Sequence, residues 1–133
     1  MEIPFSIVRA TQFFEFVGRI ADSATDGDTV RISSAPIQPM AADDVATAVA
    51  RTTVGQPVGG ILEVAGPDRH PLDDLVRARL GASNDTRRVV TDPQSRYFGV
   101  VLDDHTLVPG PDATVFPTRF EEWLLANALV PAR

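Results

Sequence analysis

"FSIVRATQFFEF", residues 5–16, sets how the rest of the chain is read. An apolar strand over Phe5 to Arg9, centred on Ile7 and Val8, passes through a polar turn into an aromatic-faced helix. Thr11 is the expected N-cap of that helix, and Glu15 favours its first turn. Phe13, Phe16, Val17, Ile20, Ala21 and Ala24 recur at the spacing of one buried stripe. A strand running directly into a helix is the repeating unit of α/β proteins, whose ligands collect at the carboxyl ends of the strands.

Working outward, "TDGD" (residues 25–28) has turn chemistry and ends the helix. "TVRIS" alternates, with Val30 and Ile32 on one face and Thr29, Arg31 and Ser33 on the other, as in a half-exposed strand. Pro36 and Pro39 restrict Ile37 and Gln38 to extended geometry. Asp43 is the expected cap of a second helix carrying Val45, Ala48, Val49 and Thr52 and stopping at Gly55. "GGILEVAGP" reads as a buried strand through Ile61, Leu62 and Val64, parallel to the first.

Pro71 suits the first position of a third helix, whose apolar face is Leu72, Leu75, Val76 and Leu80, with Gly81 just past its end. Signals weaken over residues 83–117, where "RRVVT" and "YFGVVL" are the two strand candidates. Thr118 and Glu121 form a capping-box pattern before a last helix that packs Phe120, Trp123 and Leu124 inward. The fold class is α/β, and residues 1–133 form a single domain or domain fragment.

Composition removes several functions. The 133 residues are 44% hydrophobic, enough for a core. A formal charge of -6, with Arg87 and Arg88 as the one adjacent basic pair, argues against nucleic acid. No apolar run reaches the roughly 20 residues of a membrane span, and "MEIPFSIVRA" lacks the order of a signal peptide, so a cytoplasmic protein is expected. Absence of cysteine excludes thiolate chemistry. All 12 basic residues are arginine, which holds its proton too tightly for acid, base or Schiff-base work. Tyr97, the lone tyrosine, therefore has no lysine partner.

Metal chemistry has little support. Adjacent Asp43 and Asp44 point in different directions at a helix start, and the two histidines, His70 and His105, lie far apart in the chain. "VGQPVGG" (residues 54–60) follows a helix and precedes a strand, the reverse of a phosphate loop. The turn Arg9-Ala10-Thr11-Gln12-Phe13 lies at the carboxyl end of a predicted parallel strand, where α/β ligands bind. Gln38 is a polar side chain in a stiff segment.

"FSIVRATQFFEF", "IQPMAADDVATAVA", "GGILEVAGPDRHPLDDLV" and the closing "RFEEWL" together resemble the second half of an NmrA-like protein. That family is an atypical, extended branch of the short-chain dehydrogenase/reductase superfamily. The resemblance runs from Pro4 to about Leu125 and implies a partial Rossmann-type fold, the substrate-side half of an NAD(P)-dependent oxidoreductase or epimerase. The glycine-rich half that cradles the pyrophosphate has no counterpart here. The resemblance implies that Ala10, Thr11 and Gln12 pass the NAD(P) nicotinamide, and that Gln12, Phe13, Phe16 and Gln38 border the substrate.

No catalytic residue and no metal ligand is assigned, and the chain alone is expected to lack both cofactor and turnover. Its expected partner is a second copy or an N-terminal Rossmann half. Two other readings stay open: a stand-alone small-molecule-binding or regulatory protein-interaction module, and a small dimeric α+β domain of ferredoxin-like order.

Overall fold

The structure, a computed structural model, describes residues 6–55 and 59–127. Phe5, and residues 56–58 of the glycine-containing loop, lie outside the described residues. The first strand, β1 (Ser6–Ala10), leads through a 3-10 turn (Phe14–Phe16) into α1 (Val17–Ser23). A hairpin of β2 (Thr25–Asp26) and β3 (Thr29–Ile32) follows, then β4 (Pro36–Ile37) and α2 (Ala42–Val54). Next come β5 (Gly60–Ala65), β6 (His70–Pro71), α3 (Leu72–Ala82) and β7 (Arg88–Thr91). The chain continues as the hairpin β8 (Arg96–Tyr97) and β9 (Val100–Val101), β10 (Thr114–Val115) and α4 (Phe120–Asn127).

The expected parallel pair is present. β1 runs alongside β5 from Ser6↔Gly60 to Ala10↔Val64, and β10 adds to the other edge of β5, also parallel. One face of this sheet is covered by α2: Met40, Ala48, Val64 and Phe116 are buried there, with Val8, Ala10, Val45 and Leu62 packed around them. The opposite face holds Ile7, Ile61 and Val115, each about half exposed, and an Arg9–Glu63 ion pair.

A second sheet, β2-β3-β7, pairs β3 and β7 in parallel and lies over the larger core. Val17, Ile20 and Ala21 of α1, Val30 and Ile32 of β3, and Leu72, Leu75, Val76 and Leu80 of α3 are buried together there. The molecule is thus mixed α/β, built from small separate sheets. Among the described residues the strands lie in sheets of two or three, not in the single four-stranded sheet that the ferredoxin-like order implies.

Tertiary partners displace several local expectations. Thr11 does not cap α1. Met40 donates its N–H to the Gln12 carbonyl at 2.9 Å and accepts from Phe14 N–H at 2.9 Å, which holds Gln12 and Phe13 extended and delays the helix to Phe14. Phe14 (1% exposed) therefore enters the core in place of Phe13 (37% exposed), against Phe120 and Trp123.

Asp43 lies inside the first turn of α2, whose N-cap is Ala41; a Glu15 carboxylate oxygen accepts the Ala42 N–H instead. Val49 of that helix is exposed. "TDGD" supplies β2 and a turn with Gly27 at φ 65°, so it is a hairpin as well as a helix stop. Pro71 is the N-cap of α3 and Gly81 lies within it. Thr118 precedes α4 by two positions, and its N–H donates to Asp44 instead of completing a capping box.

Candidate functional site

At the carboxyl ends of β1 and β5, three segments meet. The first is the turn Thr11-Gln12-Phe13. Its Thr11 N–H donates to the Val64 carbonyl at 3.2 Å, and Phe14 N–H is taken by Met40. The second is Pro39–Met40, pressed against Gly66, where an added Cβ would lie 1.7 Å from the Pro39 carbonyl oxygen. The third is the β8–β9 hairpin, which reaches back over the turn.

The hairpin tip is tight, with Phe98 at φ 48° and Gly99 at φ 89°. A phenylalanine in the left-handed region carries backbone strain of the kind concentrated at ligand sites. Its ring is 57% exposed, stacks on Phe16 at 6.0 Å and meets Tyr97 edge-on at 4.7 Å. The Gln12 side chain lies beside the Tyr97 hydroxyl, near enough to lower its pKa. Burial pushes the Tyr97 phenol above its ordinary value and outweighs the opposing effect of Gln12, so the hydroxyl stays neutral near pH 7. With no lysine beside it, this hydroxyl is a hydrogen-bond donor rather than a base.

Of the residues singled out from sequence, Gln12 therefore lies beside Tyr97 and Phe16 stacks on Phe98, while Phe13 follows Gln12 in the chain and is bridged to Met40. Ala10 ends β1, half-buried in its ladder. Thr11 Oγ1 is buried and, among the described residues, is the one side-chain polar atom of that kind with no hydrogen-bond partner. Gln38 is not at this surface. It is 8% exposed, donates to the Gly66 carbonyl at 2.8 Å and accepts from Arg69 Nε at 3.3 Å, which ties the loop after β5 to the proline-bracketed segment. Sequence reasoning missed Phe98, because only its positive φ and its stacking on a distant Phe16 mark it out.

The dinucleotide can be tested against these atoms. A pyrophosphate needs free backbone N–H groups at a helix start. Here the N–H groups of Thr11, Phe14 and Phe16 are already donated to Val64, Met40 and Phe13. Those three donors are therefore not available to a pyrophosphate. Among the described residues, no group of three or more His, Asp or Glu side chains is arranged to hold a metal ion. None of their helices is long and apolar enough to cross a membrane. Comparison with known proteins finds no matching family model, no similar curated protein and no similar solved structure.

Proposed function

We propose that the chain is the substrate-side segment of an NAD(P)-dependent oxidoreductase or epimerase of NmrA-like type, with the dinucleotide bound by a separate Rossmann half. The observation that carries this reading is the group of residues at and after the carboxyl end of a parallel strand: the buried, unpartnered Thr11 hydroxyl, Gln12 beside Tyr97, the partly exposed Phe13, and the stacked Phe16 and Phe98 rings. Polar groups few in number and set among aromatic walls suit a flat substrate bearing a carbonyl or hydroxyl. Gln12 and Tyr97 would orient that oxygen, and the rings would exclude water from it. The engaged N–H groups of Thr11, Phe14 and Phe16 support assigning the cofactor elsewhere, and no step through it is assigned to these residues.

The test uses the purified chain with 1,4-naphthoquinone and with NADPH as separate probes. The expected result is naphthoquinone binding that perturbs the amide signals of Gln12, Phe13 and Phe16 and is weakened by Gln12→Ala and by Phe98→Gly, with no NADPH binding. Micromolar NADPH binding, or quinone binding indifferent to both substitutions, overturns the reading.

A second reading, a stand-alone binding or regulatory module, is favoured by one observation. Phe14 is enclosed by Phe120 and Trp123 of the same chain, so the region after β1 is covered without a partner. Tight binding of a small molecule with native function in the absence of any dinucleotide would select this alternative.

A further inference from the structure

A second concavity lies away from the β1 turn, between α3 and α4. It has a volume of about 450 Å³, within the range of small-molecule sites. Its walls come from two helical faces at i, i+4 spacing: Asp74, Leu75, Ala78 and Ala82 on one side, Phe120, Glu121, Leu124 and Leu125 on the other. His70 closes one end, its ring 6.0 Å from that of Phe120. Leu125 is 78% exposed, a large apolar side chain left in solvent beside the cleft.

The charges around this cleft are one-sided. All 12 cationic side chains of the sequence are arginine, and among the described residues none of them lines it; His70 is the one basic group in the lining. Arg77, on α3, turns away to Asp73, Thr91 and the Val89 carbonyl, and reaches Asp74 at 3.2 Å. Arg119 pairs with Asp68. Asp74 is therefore partly neutralised, while Glu121 makes no ion pair among the described residues. An apolar cavity with an unneutralised carboxylate at its rim repels carboxylates and phosphates and attracts a cation carried on an apolar body.

We infer that the α3–α4 cleft is a binding site for an apolar organic ammonium ion, with the hydrocarbon or aryl part between Ala78, Leu124 and Leu125 and the cationic head at Glu121. This inference stands apart from the oxidoreductase reading, because no residue of the cleft is among those that carry that reading.

The experiment titrates the full chain with 4-phenylbutylamine and, separately, with 4-phenylbutyrate, following the methyl signals of Ala78, Leu124 and Leu125. The expected result is amine binding confined to those methyls and no matching response to the carboxylate. Glu121→Gln should weaken the amine by about two- to fivefold, as for a solvent-accessible charge pair, and leave the melting temperature in place. Ala78→Leu, which fills the cleft, should abolish binding. Equal binding of amine and carboxylate, an amine response elsewhere on the surface, no amine binding, or an affinity unchanged by Glu121→Gln each overturns the inference.

Discussion

Gly66 joins the two carboxyl ends on which the candidate site stands. Its carbonyl receives the Gln38 side-chain amide, and its α-carbon faces the Pro39 carbonyl so closely that a Cβ would lie 1.7 Å from that oxygen. Backbone, not a flexible side chain, blocks the space, so any side chain at this position must push the Pro39–Met40 segment away from β5. That same segment holds Gln12 and Phe14 through Met40. Gly66→Ala is therefore expected to cost at least the 1–3 kcal/mol (roughly) of an overpacked core, and to disturb the Gln12 and Phe13 amide signals as well. Gln38→Ala leaves the Gly66 carbonyl and Arg69 without their partner, at a cost of about 1–3 kcal/mol. Urea unfolding of both variants checks these values, and a Gly66→Ala protein as stable as the parent would show that the contact is not tight.

Between elements, Asp73 ties α3 to β7. Its carboxylate is 4% exposed and accepts hydrogen bonds from Thr91 Oγ1, Arg77 and the Asp74 N–H. Burial alone would raise the pKa of this carboxyl, but the bonds from Thr91 and Arg77 outweigh it and hold it below the ordinary carboxylate range. A pKa lower in the folded than in the unfolded chain gives stability that is complete above the unfolded value near ~3.9 and lost as pH falls through the folded one. Acidification from about pH 5 to pH 2 should therefore destabilise the protein more steeply than its Asp73→Asn variant, in thermal melts recorded across that range. Parallel slopes for the two would remove Asp73 from the acid transition.

The same scale shows what was legible in the sequence. Apolar spacing located β1, β3, β5 and the buried face of α3, because each of those patterns is local. The helix starts were less legible. Thr11, Asp43 and Thr118 have the chemistry of caps, but Met40, Glu15 and Asp44 reach those places from other elements. Gln12, Phe13 and Phe16 could be read from one short stretch. Phe98 could not, since its contact with Phe16 exists only once the β8–β9 hairpin has folded back.

For the whole molecule, the side of the β1-β5-β10 sheet away from α2 stays about half exposed among the described residues. Parallel sheets are ordinarily covered on both faces, yet Ile7, Ile61 and Val115 stand 51–54% exposed on this one. Arg9 and Glu63 lie side by side between them, 3.7 Å apart at the nearest, so the face carries one charge of each sign in an apolar surround. Such a face is self-complementary: rotation by a two-fold axis sets Arg9 of one copy against Glu63 of the other and Ile7 near Ile61, without juxtaposing like charges. The isolated chain is therefore expected to associate with a second copy over this face, where a separate Rossmann half would compete. Sedimentation across a dilution series should show a dimer dissociating on dilution. Ile7→Arg together with Ile61→Arg, both at exposed positions, should give a folded monomer with the α1–α3 core intact by near-ultraviolet circular dichroism. A parent chain that stays monomeric at every concentration, or a dimer that survives both substitutions, would show that this face is not the contact.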